Sequence, residues 1–352
     1  MSRVAERLRA LVRARGPIPF AVFMEEALYG EGGYYAGARS PVGRDFVTGS
    51  SLSPLFGRST ATLLSRLAER LDGRADYFEA GFGGGQHLRA LLDAWPEDRR
   101  GRVLAWDRTA TSVPAGVDRL GELGEIADRS LAGVVFSYEL FDALPIHRLV
   151  RSGEEVRELR VGLEGEDFRF VEAEISEPSL AELLSGSALE QGQVADLSPL
   201  WRPLYASLAS KLERGLVVTC DYGFSRPRLL DPRVRAHGTL ACYREHRVHR
   251  DPFRHVGEQD LTAHVDFTAL RETGEELGLE TVAFSRQALW LTATGLFDAL
   301  RGAGPKLRGE AMALLDGDGM GEEIRVLVQA KDVDPDAVLD LDILGRVGAG
   351  VP

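Results

Sequence analysis

Glycines at positions 81, 83, 84 and 85 follow an acid, Glu79, and lead into an amphipathic run, so that residues 77–95 read YFEAGFGGGQHLRALLDAW. A short apolar run, a tight glycine turn and a helical repeat describe a strand feeding a helix, the opening of a nucleotide-type α/β fold. Glycine lets backbone N–H groups come close to a ligand, and a helix N-terminus favours the ligand's anionic end. Gln86 stands where a dinucleotide fingerprint carries its last glycine. The spacing therefore suits a nucleoside bearing an amino acid, S-adenosylmethionine (SAM), better than a pyrophosphate. Glu79, Gly81, Gly83 and Gly85 are the candidate cofactor contacts. A turn of this kind also serves any strand that must enter a helix, so other residues have to decide. Asp107 ends a second apolar run, RVLAW, at the point where nucleoside-binding α/β folds receive ribose hydroxyls.

Three further groups can carry chemistry. The run GVVFS leads into YELFDALPIHRL, which places Tyr138, Glu139 and Asp142 at the carboxyl edge of the sheet, the edge where open α/β folds bind ligands. Two acids three residues apart can face one cation, and either can equally cap the next helix. A later strand ends in Asp221 and Tyr222, again at that edge, as candidate substrate contacts. A polar segment then holds His246, His249, His255 and His264. It lacks the helical pair or cysteine partners of a metal site, so no metal is expected. His264 and Asp266, two apart in extended chain, would point to one side as a base and its orienting carboxylate, or His264 is a structural histidine.

The elements that position these groups follow from the patterning. Helices are expected up to Gly16, over 20–29 and over 55–71, with a glycine- and aromatic-rich loop between the last two that reads as a lid. Phe46 and Thr48 lie in that loop and are assigned to the cofactor. Strands are expected at 76–80, 102–106, 133–137 and 215–221. An antiparallel meander is expected over 147–175, helices over 197–213 and 267–277, and a final hairpin-like pair of strands near 280–286 and 322–330. The organisation is thus a helical and lid region (1–75), a first core half (76–146), an inserted meander or substrate subdomain (147–196), a second core half (197–332) with an inserted loop (224–266), and a peripheral tail (333–352).

Composition narrows the partners. The 352-residue chain carries a formal charge of −12, which argues against a nucleic-acid partner. No apolar run approaches the ~18 residues of a membrane helix. Two cysteines, one within LVVTC, fit a reducing cytoplasm. The arginine-rich N-terminal helix reads as a surface helix rather than a transit segment. Oligomeric state is left open, a homodimer included.

With these segments in order, the chain resembles the MidA family of SAM-dependent methyltransferases. The resemblance rests on FMEEALYGEGGYY, DFVTGSSLSPLFG, EAGFGGG, ELFDALPIHRLV, DYGF, GTLACYREHR and GEQDLTAHVDFTAL, which run in family order over nearly the whole chain. It implies a class I methyltransferase fold, a Rossmann-like seven-stranded sheet with its last strand antiparallel, N-terminal helices and an inserted subdomain. It also implies SAM as cofactor, S-adenosylhomocysteine as product, and a protein substrate, because mitochondrial members methylate an arginine of a respiratory-complex subunit. The chain departs from the family pattern at Tyr138, usually Asn, at Ser50 and Ser51, usually Pro-Glu, and at Phe82 and Gly84. The segment after Asp107 is shortened, with Glu122 near any adenine contact. For arginine as acceptor, Glu139 and Asp142 are assigned to the guanidinium, with His264 and Asp266 as a weaker proton-accepting pair. Tyr138 is placed with the cofactor. Two other readings stay open: a small-molecule or peptide O- or N-methyltransferase, and an inactive binding protein of the same fold.

Overall fold

The computed structural model describes residues 2–36, 53–110, 112–184, 189–301, 303–316 and 320–345. Strands follow in chain order: β1 (Ala75–Ala80), β2 (Arg100–Trp106), β3 (Asp118–Leu120), β4 (Leu131–Tyr138), β5 (His147–Ser152), β6 (Glu155–Glu164), β7 (Asp167–Ala173) and β8 (Val194–Leu197). They continue with β9 (Leu212–Phe224), β10 (Ala241–Arg244), β11 (Arg247–His249), β12 (Asp260–Thr262), β13 (Val265–Asp266), β14 (Glu280–Arg286) and β15 (Ile324–Lys331). The chain forms two compact units, one of residues 47–140, 204–222 and 269–352, the other of 1–46, 141–203 and 223–268.

The first of these holds the sheet, in the order β14-β15-β9-β4-β1-β2-β3. β1, β2, β3, β4 and β9 pair in parallel, while β15 runs antiparallel to both β9 and β14. This is the sheet expected of a class I methyltransferase, with the last strand in the chain inserted antiparallel. The central strands are buried along almost their whole length, as parallel strands covered on both faces must be. Helices Pro54–Ala68 and Gln86–Ala94 pack against each other. Gly57 permits the approach, since a Cβ there would lie 2.6 Å from the backbone nitrogen of Leu91.

Several elements differ from expectation. The pair β14 and β15 is antiparallel, but helices such as Gln287–Ala293 and Pro305–Leu315 separate its strands. The helix expected over 197–213 is confined to Trp201–Ala209, because β9 already begins at Leu212. The shortened segment after Asp107 holds β3, and Glu122 caps a short 3-10 turn. The segment read as a peripheral tail is corrected: Val338, Leu339, Leu341 and Leu344 are all at most 5% exposed and belong to the sheet unit's core. Its acidic residues face outward while the apolar ones, spaced on one side, pack inward.

The other unit contains the meander, with β5, β6 and β7 antiparallel in sequence and β8 returning beside β5. Its aromatic core includes Phe20, Phe23, Phe168 and Phe253, with ring centroids 5.4 to 5.9 Å apart where they touch. Buried polar groups are paired: Arg148 Nε donates to Asp196 at 2.8 Å, and His147 Nδ1 lies 2.7 Å from Glu158. The polar histidine segment forms a small sheet, β11-β10-β12. It buries Cys242, and burial pushes that thiol up to about 12. No described helix is long and apolar enough to cross a membrane.

Candidate active site

β1 ends in a turn whose backbone favours glycine. Gly81, Gly83 and Gly85 have φ of +78°, +51° and +68°, values that cost other residues roughly 1–2 kcal/mol. The turn is pinned at two points on β2's end: Gly81 N donates to Trp106 O at 2.7 Å, and Gly83 N to Asp107 Oδ2 at 2.9 Å. Asp107 Oδ1 also accepts from Thr109 N and Ala110 N, at 2.8 and 2.7 Å. Asp107 therefore braces the glycine turn and shapes its own loop, a role its position at a strand end did not disclose. Gly85 opens helix Gln86–Ala94 with no side-chain cap, and a Cβ placed on Gly83 would meet nothing within 4 Å. Open space over a glycine beside unsatisfied first-turn N–H groups fits the amino-acid end of SAM.

Two residues assigned to the cofactor take other partners. Glu79 is buried, and its Oε2 accepts from Tyr77 OH at 2.9 Å and lies 2.8 Å from His87 Nδ1. His87 Nε2 in turn lies 3.2 Å from Thr60 Oγ1. Glu79 thus ties β1 to the two helices from inside the core, beneath the turn. Tyr138 sends its hydroxyl to Gln287 Oε1 at 2.6 Å, with Phe56 packed on its ring. Burial, then the neighbouring Glu139, hold that hydroxyl protonated far above the usual tyrosine range. Where the family usually has Asn, this chain has a core strut. Phe46 and Thr48 lie outside the described residues.

Glu139 has left-handed, strained backbone, with φ of +47°. Such backbone persists when neighbours over-determine it. Here Glu139 N donates to Cys220 O at 2.9 Å, and the next amide, Leu140 N, donates to Asp221 Oδ2 at 3.1 Å. Asp221 is fully buried, and its Oδ1 accepts from Tyr222 N at 2.9 Å. The residue read as a substrate contact is therefore corrected to one that sets the Glu139 turn. Tyr222, half-buried, pairs in register with Ile324.

Asp142 belongs to the other unit, as the division falls after Leu140. It is buried, and its carbonyl accepts from Ala263 N at 2.9 Å. A second buried acid, Asp260, accepts from Tyr35 OH at 2.9 Å, and Tyr35 stacks on Tyr29 with centroids 5.5 Å apart. Burial raises the Tyr35 hydroxyl well above its usual range, and the charges of Asp260 and Asp142 push it further. Asp260 thus anchors the tyrosine pair, and the charge of Asp142 acts on it as well. Tyr29, Tyr35 and Asp260 carried no chemical signal in the sequence beyond their place in YGEGGYY and GEQDL. His264 and Asp266 are not arranged as a simple dyad: Asp266 Oδ2 accepts from Arg226 Nε at 2.7 Å, and His264 lies against Phe224 in a cavity lined by arginines. The sequence showed the two-residue spacing but not the arginine that takes the carboxylate.

Sheet order, glycine turn and the acid at the end of β2 define a class I SAM-dependent methyltransferase. A model of a family described as S-adenosyl-L-methionine-dependent methyltransferases matches residues 63–285, and the chain belongs to that family, the MidA methyltransferases. It is 25% identical to the mitochondrial "Protein arginine methyltransferase NDUFAF7 homolog" of Drosophila melanogaster, over 78% of this chain and 70% of that protein. The corresponding zebrafish protein, from Danio rerio, is 24% identical over 76% and 71%. A solved structure of a likely methyl transferase from Burkholderia thailandensis, bound to S-adenosyl-homocysteine, is 29% identical with a TM-score of 0.82, covering 94% of this chain and 92% of that one. The cofactor of this enzyme is SAM.

Proposed function

We propose that the methyl acceptor is an arginine guanidinium on a protein or peptide. The observation that carries this reading is the buried acid Asp260, which accepts from Tyr35 of the stacked Tyr29–Tyr35 pair, with a second buried acid, Asp142, acting by its charge on the same hydroxyl. Carboxylates flanked by aromatic rings suit a planar cation. Two relatives named as protein arginine methyltransferases support it, as does the chain's acidic balance.

When bound, SAM supplies an electrophilic methyl group on a sulfonium. The amides of Gly81, Gly83 and Gly85 are bonded within the protein, so the open face above Gly83 and the first-turn amides of helix Gln86–Ala94 would hold its amino-acid end. Asp107, whose carboxylate braces the glycine turn, would lie beside the ribose hydroxyls. A guanidinium approaching a sulfonium faces repulsion of about 4 kcal/mol at 4 Å and an effective dielectric near 20. Carboxylates offset it, the role assigned separately to Glu139 and to Asp142, and a carboxylate hydrogen-bonded to the guanidinium concentrates its lone pair on the attacking nitrogen. The proton released after transfer is assigned to a carboxylate of this set, since Asp266, the expected partner of a His264 base, is engaged by Arg226. Most of the acceleration then comes from alignment and electrostatics.

The test is transfer of tritiated methyl from SAM into lysate of a strain lacking the protein, followed by acid hydrolysis of the labelled protein. Label in methylarginines is expected. Label confined to small molecules or to other amino acids would overturn the arginine assignment.

A further inference from the structure

A cavity of about 910 Å³ lies wholly within the meander-containing unit, lined by residues from Pro227 to Arg250 and by His264. Its lining is basic in a protein whose formal charge is −12. Arg228, Arg233, Arg235 and Arg250 line it, against one acid, Asp231. Arg233 pairs with Asp231 through two bonds of 2.9 and 2.8 Å, and that pairing holds the Asp231 carboxyl down at about 2. One arginine is thereby neutralised. Among the described residues, Arg228, Arg235 and Arg250 have no carboxylate at ion-pair distance.

Two of the three are held close together. The Arg228 and Arg235 guanidiniums lie 4.9 and 4.0 Å from the centre of the same Phe224 ring. Burial, and then the charge of Arg228, lower Arg235 from its ordinary value. Like charges gathered on one ring cost free energy that an anion would recover.

The cavity is also apolar at its rim. Val234 and Val248 line it and are 66% and 63% exposed, among the most exposed large apolar side chains described. A lone phosphate would need neither these valines nor a volume of this size, which falls in the range of about 300–1,000 Å³ for sites of larger ligands. A nucleic acid would seek an aromatic face for its bases, and Phe224 already carries guanidiniums. We propose that this cavity binds an acidic peptide segment whose carboxylates meet Arg228, Arg235 and Arg250 and whose apolar side chains rest on Val234 and Val248. The proposal goes beyond methyl transfer and does not depend on which atom is methylated.

Calorimetry on the full chain tests it, with the peptide Leu-Glu-Glu-Leu-Glu-Glu as probe and its glutamine counterpart as control. The glutamate peptide is expected to bind, the glutamine peptide not. The double variant Arg228→Gln/Arg235→Gln should bind the glutamate peptide at least about tenfold more weakly, and Val234→Ser/Val248→Ser about threefold more weakly. SAM affinity, unchanged in both, reports that each variant is folded. No binding of the glutamate peptide, equal binding of both peptides, or undiminished affinity in the arginine variant would each overturn the proposal. Displacement of the peptide by an equal concentration of inorganic phosphate would do so too, because the cavity would then be a simple anion site.

Discussion

Glu139 combines strained backbone with the chemical role proposed for it. Its left-handed backbone is held by bonds from two successive amides to β9. Glycine at this position relieves about 1 kcal/mol of backbone strain. Glu139→Gly is therefore expected to unfold at equal or higher denaturant concentration than the wild type while losing methyl transfer. A clear fall in stability would show the turn is unstrained. Glu139→Gln keeps size and hydrogen bonding but removes the charge that the proposed function sets against the guanidinium. It should lower turnover at least about a hundredfold with SAM affinity nearly intact, as read by calorimetry beside a methylation assay; surviving turnover ends the clamp role. Asp221 acts one step behind. Asp221→Ala leaves the partly buried Leu140 N without its acceptor at a cost of roughly 1–3 kcal/mol and should reduce kcat more than SAM binding.

The glycine turn is a device of the β1–helix element, and its prediction belongs there. Gly83→Val forces a β-branched residue to φ of +51° and puts methyl groups into the open space above the turn. SAM binding measured by calorimetry should fall below detection, and undiminished affinity would move the cofactor elsewhere. The meander has its own weak point in the His147–Glu158 pair. Burial alone would raise the Glu158 carboxyl, but hydrogen bonds from His147 and Ser176 outweigh it and leave the group below its ordinary 4.5. A depressed carboxyl stabilises the fold fully above that ordinary value and loses the contribution as pH falls through the folded one. Thermal stability of the wild type should therefore drop on acidification below about pH 4.5, and Glu158→Gln should flatten that drop while starting from a lower value at neutral pH.

At the scale of the molecule, the C-terminal segment closes the sheet unit's core. Leu341 and Leu344 are 5% and 4% exposed, and each truncation to alanine should cost about 2–4 kcal/mol in denaturant unfolding. A change under about 0.5 kcal/mol would return the segment to the periphery.

Local spacing made the glycine turn, the acid at the end of β2 and most strands legible, because backbone conformation and hydrophobic period are written within a few residues. Family order then added the sheet topology. What could not be read is long-range. The partner of Tyr138 is 149 residues away, and that of the Asp221 carboxylate 81, so their types fitted a ligand contact as well as a strut. Tyr35 and Asp260, 225 residues apart, became a site only through folding. The apolar spacing of the last helix was hidden among acids until the core claimed it. Sequence alone thus determined the class of chemistry, since turn geometry and strand order depend on local conformation and period. Tertiary structure decided which acids face inward as braces and which gather on the tyrosines, because burial and pairing are set by chain segments that sequence distance keeps apart.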